Sequence, residues 1–174
     1  YYDSIDKQSG LVYAFRMLDK IDLEILRMLQ EDARVSNGAI ARSTGMATSA
    51  IFERIKKLKS QGVIKGYRTE LEPRMLGMGV LAYVFVKVNI RPGQPDTAVL
   101  LAEIPEIQEV HHISGEDCLM VKIWATDTEG LGDLLTTRIH CLEDVQSTRT
   151  TIVLKTVKDI NELPLTYVGE KGKR

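Results

Sequence analysis

Cysteine is scarce in this chain: 174 residues hold two, Cys118 and Cys141. Thiols so few and so far apart give neither a disulfide framework nor a thiolate zinc cluster, and a reducing, cytoplasmic setting suits them. Long apolar runs are missing too. No stretch approaches the roughly 18 apolar residues of a membrane span, and the amino terminus lacks the basic and apolar regions of a signal peptide. An excess of either charge is also absent, the formal net being −1. Nor does any nucleophile stand beside a base at a suggestive spacing, or any glycine-rich loop cradle a phosphate, so catalysis is not expected.

What is present divides in two. With 44% hydrophobic residues the chain can bury a real core, as one domain or two small ones. Residues 17 to 72 hold ten basic and eight acidic side chains, whereas residues 73 to 174 hold eleven and fourteen. Only the front half invites nucleic acid. Residues 1 to 16 show no usable periodicity and are expected to be an extension ahead of a natural start at Met17.

From Leu18, the residues Ile21, Ile25, Met28 and Leu29 share one helical face, with Asp19 and Asp22 supplying negative charge to the first turn. Ser36 can then accept a bond from free amides at the start of a short helix carrying Ala39, Ile40 and Ala41. Gly45 accepts the left-handed backbone that stops it. A further helix, about Thr48 to Gln61, repeats Ile51, Ile55 and Leu58 as a single apolar stripe. Two capped helices around a glycine form a helix-turn-helix, with the first helix as its roof. Between residues 47 and 68 stand six basic side chains and one acidic, Glu53, which gives a surface that phosphates attract. A glycine stop and the apolar run Val63-Ile64 then predict a short strand, the wing of a winged helix. Pro73, Gly77 and Gly79 interrupt the pattern and predict a linker over 73–79.

Beyond the linker the order is strand (Val80 to Ile90), helix (Asp96 to Ile104), strand (Ile107 to Ser114) and strand (Leu119 to Ala125). A helix carrying Leu131, Leu134, Leu135 and Ile139, capped by Thr126 or Asp127, and a strand from Val145 to Lys155 complete it. That order predicts a split βαβ, ferredoxin-like domain in an α+β chain, with two helices on one face of a four-stranded antiparallel sheet. Val84, Val86 and Val88, opposed by Phe85 and Ala82, suggest that both sheet faces are buried, the second by another subunit. The expected division is 17–72 for DNA binding, 73–79 as hinge, 80–156 as the second domain and 157–174 as a tail.

Four segments, DKIDLEILRMLQEDAR, RIKKLKSQGVIKGY, PEIQEVHHISGEDCLMVKI and EDVQSTRTTIVLKT, resemble the Lrp/AsnC family of feast/famine transcription regulators. The resemblance runs from Asp19 to Leu165. It implies a winged helix-turn-helix joined by a hinge strand to a ligand-sensing RAM domain that builds dimers and often octamers on double-stranded DNA. It also implies control by an amino acid or related metabolite; no cofactor or metal is expected. Carried over residue by residue, the recognition helix matches at Thr48, Ser49, Phe52, Glu53, Arg54, Lys56 and Lys57, with Ser36 and Lys65 beside it. Arginine and lysine can hold phosphates or guanine edges, and Glu53 can accept from cytosine. The ordinary uses of two of these residues differ: Phe52 would pack against the wing, and Glu53 would pair with Lys57. Many relatives have serine where Ala47 stands at the start of that helix.

The resemblance places the effector between neighbouring dimers, at the turn Ser114, Gly115, Glu116, Asp117 and Cys118 and on Thr148 and Thr150 of the last strand. A glycine turn lets amides approach a carboxylate, and an acidic group holds an ammonium. Many relatives carry an aromatic residue and then aspartate where this chain has Asp117 and Cys118. Three alternatives stay open. His111, His112, Cys118, His140 and Cys141 would suit a metal-sensing repressor, although adjacent strand residues such as His111 and His112 face opposite ways. The chain could also be an architectural DNA-binding protein without an effector, or its second domain could be a small enzyme.

Overall fold

The computed structural model describes residues 18–89, 93 and 95–165, so the extension over 1–16, the start at Met17 and the first strand's end at Ile90 lie outside the described residues. Two compact units form, one from the described residues up to Thr69 together with Ile160 onward, the other from Glu70–Asp159.

In the first unit, helix α1 spans Lys20–Glu31 behind a reciprocal cap. The Asp22 amide donates to Asp19 at 2.8 Å and the Asp19 amide to Asp22 at 3.2 Å, which satisfies two of the amides that a helix start leaves free. Helix α2, Asn37–Thr44, has Ser36 as its cap, accepting from the Ala39 amide at 3.1 Å, and ends on Gly45 at φ 67. Helix α3, Thr48–Ser60, starts from Ala47 with no side-chain cap. Ile25, Ile40, Ile51 and Leu58 meet in the centre at 2% exposure or less. Each such side chain contributes roughly 1.5–3 kcal/mol by leaving water. The predicted wing strand does not form. Val63 and Ile64 fold back onto this core, their amides donating to the Leu58 carbonyl at 3.0 and 3.2 Å. The described part of the unit holds no strand for them to pair with. From the far end of the sequence, Leu163 joins the unit: its amide donates to the Gln30 side chain at 2.8 Å and its carbonyl accepts from it at 3.2 Å.

The second unit opens on a 3-10 turn, Pro73–Leu76, capped by Glu72 and closed by Gly77 at φ 81, where the resemblance implied a hinge strand. Proline at the first turn cannot donate to a sheet, which favours the turn. Strands β1 (Val80–Val88), β2 (Ile107–His112), β3 (Leu119–Ala125) and β4 (Val145–Ile152) make one antiparallel sheet in the order β2-β3-β1-β4. Helix α4 is Thr97–Ala102, capped by Asp96, and helix α5 is Thr128–Leu134, capped by Asp127. A π-helical turn, Leu135–Ile139, prolongs α5. This is the ferredoxin-like arrangement the pattern predicts. Its core joins Ala82, Val84 and Val86 of β1 to Val121 and Ile123 of β3 and to Leu101, Leu131 and Ile139 from the helical layer. Ala82 therefore shares a face with Val84 and Val86 instead of opposing them, as a period of two requires. The other face, with Tyr83, Phe85, Met120 and Trp124, is only half-buried by the chain's own residues.

Candidate DNA-binding face and effector cavity

Because Ile51, Ile55 and Leu58 turn α3 inward, its opposite side stands in solvent. There Thr48, Ser49, Glu53, Lys56 and Lys57 are exposed. Phe52 lies among them at 55% exposure, a large aromatic ring left largely in solvent. Among the described residues Glu53 forms no ion pair, with Lys57 or otherwise. Ser36 and Lys65 are exposed as well, Ser36 with its oxygen already capping α2. Lys59, absent from the expected set, is exposed and sits 4.6 Å from the centre of the Tyr67 ring.

Arg54 departs from this company. Its Nη1 donates to Asp22 at 2.7 Å and to Asp19 at 2.8 Å, fastening α3 to the start of α1. The hydrogen bond from Asp22 leads the effects that raise the guanidinium's pKa. Burial by itself would raise the Asp19 carboxyl, but the Asp22 amide and Arg54 outweigh it and hold the group below its ordinary value. The resemblance put Arg54 with the DNA-facing residues; the structure gives it internal partners.

In the second unit, an open cavity of about 580 Å³ lies where the β2–β3 turn meets β1 and β4. Five of the seven expected effector residues line it: Ser114, Gly115, Glu116, Asp117 and Thr148. Gly115 takes φ 140, a conformation closed to most side chains, so a tight turn presents its backbone there. Cys118 and Thr150 do not line the cavity. The Cys118 amide enters the sheet by donating to Val86 at 3.1 Å, and Thr150 sits opposite Val84.

Phe85, Lys87, Ile113, Ser147 and Arg149 line the cavity without having been anticipated. Strand alternation carries the missing signal. Thr148 and Thr150 pair with Val86 and Val84 on the helix-covered side, so Arg149 between them pairs with Phe85 on the other. Arg149 Nη2 donates to Asp117 Oδ2 at 2.8 Å, and its guanidinium carbon stands 4.1 Å from the centre of the Phe85 ring.

The histidines have local partners. His111 lies 3.1 Å from Glu109, which also accepts from Lys122 at 3.2 Å, and His140 lies 2.8 Å from Thr148. The bond from His111 is the largest of the effects that lower the Glu109 pKa. Among the described residues no three of His, Cys, Asp and Glu are grouped to hold a metal ion, and no helix is long and apolar enough to cross a membrane.

Comparison with known proteins matches both units. Residues 18–65 fit the winged helix-turn-helix DNA-binding family and residues 82–163 the Lrp/AsnC ligand binding domain. The HTH-type transcriptional regulator FL11 of Pyrococcus horikoshii is 40% identical over 148 residues, which cover 85% of this chain and 97% of that one. The structure of the transcriptional regulator NMB0573 of Neisseria meningitidis, complexed with L-Met, aligns with a TM-score of 0.81 at 25% identity, over 87% of this chain and 99% of that one. A feast or famine regulatory protein from M. tuberculosis, complexed with L-methionine, aligns with a TM-score of 0.77 at 31% identity, over 84% and 98% of the two chains. Matched in this way in both of its units, the chain belongs to the Lrp/AsnC family of DNA-binding transcription regulators.

Proposed function

We propose that α3 enters a groove of duplex DNA with Thr48, Ser49, Phe52, Glu53, Lys56 and Lys57, flanked by Ser36 and Lys65. In this reading a free amino acid, or a close relative of one, binds the cavity at the β2–β3 turn and shifts the affinity for DNA or the assembly that presents α3. The observation that carries it is the cavity itself, in which a glycine turn, two carboxylates and two cations converge. Backbone amides and a cation suit a carboxylate, and carboxylates suit an ammonium. The complexes of two relatives with methionine support the same class of ligand. A ligand moves such an equilibrium only by binding one state better than the other. The half-buried open face of the sheet, with Tyr83, Phe85, Met120 and Trp124, favours pairing with a second copy, as a homodimer or a larger ring such as an octamer. The protein works as a cytoplasmic binding module, not as an enzyme; its relatives are named as transcription regulators.

One titration series tests both arms: fluorescence anisotropy of a labelled duplex against protein, over a range of salt, with and without each of the twenty amino acids. The wild type should show a steep salt dependence, and the Lys56→Ala/Lys57→Ala variant should flatten the log-log slope by about 2, near one for each phosphate no longer neutralised. At least one amino acid should shift the midpoint. An unaltered slope removes α3 from the contact surface, and twenty unmoved midpoints remove the effector.

A further inference from the structure

We infer that the ion pair between Arg149 and Asp117 sets the charge class of the effector, so that the cavity takes an amino acid whose side chain is uncharged. The inference rests on the reading of the cavity as an effector site. Four ionisable side chains line it, Lys87, Glu116, Asp117 and Arg149, and their charges cancel. They are not equally available. Arg149 is bonded to Asp117 at 2.8 Å and lies over the Phe85 ring, so it is held from two directions. Phe85 and Arg149 are directly opposed in the β1–β4 ladder, so the sheet fixes this contact. The Asp117 side chain is 21% exposed, and Arg149 occupies it. Among the described residues, Lys87 and Glu116 have no ion-pair partner.

One unengaged cation and one unengaged anion match the carboxylate and ammonium of a zwitterion, with nothing left for a third charge. The rest of the wall includes Phe85 and Ile113, beside which a charged side chain would lose water without gaining a partner. Selectivity then comes from an element that rejects, the internally neutralised Asp117, as much as from those that attract. An exposed pair of this kind adds little to stability, which leaves selection of the ligand as its main effect.

The test is isothermal titration of the full chain with methionine, leucine, lysine and glutamate, on four proteins. The wild type should prefer methionine or leucine to lysine and glutamate by about tenfold or more, the scale of one unpaired charge. Arg149→Gln frees Asp117 and should move the ranking about tenfold towards lysine; Asp117→Asn frees Arg149 and should move it as far towards glutamate. The exchange Asp117→Arg/Arg149→Glu restores a pair and should keep the wild-type order, which separates loss of charge balance from loss of fold. If the single variants still bind methionine or leucine with an unchanged ranking, the inference falls while the effector reading survives. A wild type that prefers lysine or glutamate also overturns it, and one that binds none of the twenty amino acids in the anisotropy series overturns both.

Discussion

Among the basic side chains of α3, Arg54 turns inward, and its partners explain why. Asp22 is 9% exposed and would hold its charge in a poorly solvated place without the guanidinium 2.7 Å away. Replacing Arg54 by alanine should therefore destabilise the DNA-binding unit by about 1–2 kcal/mol near neutral pH. The Asp19 half of the contact, its side chain 50% exposed, adds little because water screens it. The Asp19 share, though small, fixes the sign with pH, because its carboxyl is depressed in the folded state. Such a group contributes stability above its unfolded pKa and loses it as pH falls through the folded one, so the gap between variant and wild type should narrow below about pH 4. Urea melts at pH 7 and pH 3 measure it; a gap that widens in acid would contradict this assignment.

At the level of elements, α3 is the one helix of the three without a side-chain cap, because Ala47 stands where its neighbours have Asp19 and Ser36. Ala47 already holds the extended backbone of a cap residue, φ −71 and ψ 144. Serine at that position should thus stabilise the unit by about 1 kcal/mol, near 4–8 °C in melting temperature for a domain of this size. Differential scanning calorimetry reads it directly, and no rise would mean that the first-turn amides already have partners. The elements also mark how far sequence reaches. Caps are partly legible, since Ser36 caps its helix as expected and Asp127, one of two candidates, caps another, and β3 spans the predicted residues. Ends are less so. Leucines at Leu131, Leu134 and Leu135 fit an α-helix and a π turn alike, and the widening shows in the structure, as in the bond from the His140 amide to the Leu135 carbonyl at 2.8 Å. The strand expected at Val63-Ile64 does not form because an apolar dipeptide after glycine signals burial equally well by strand or by fold-back. Arg149 is hidden for a related reason: its partners, Asp117 and Phe85, lie 32 and 64 positions away, beyond the reach of local periodicity.

For the whole molecule, the half-buried open face of the sheet predicts an assembly larger than one chain. Light scattering should give at least twice the monomer mass of 19.5 kDa, and Tyr83→Asp with Trp124→Asp, which put two like charges on the open face, should lower it towards the monomer. A wild type of single mass would sink the proposed pairing.

The hook of Gln30 on Leu163 bears on how the protein can be dissected. Among the described residues its DNA-binding half is discontinuous, joining residues 18–69 to residues 160–165. A fragment that stops at Glu72 amputates the returning piece and turns the Gln30 carboxamide towards water. An isolated reading head cut in that way is a different object from the one the intact chain carries.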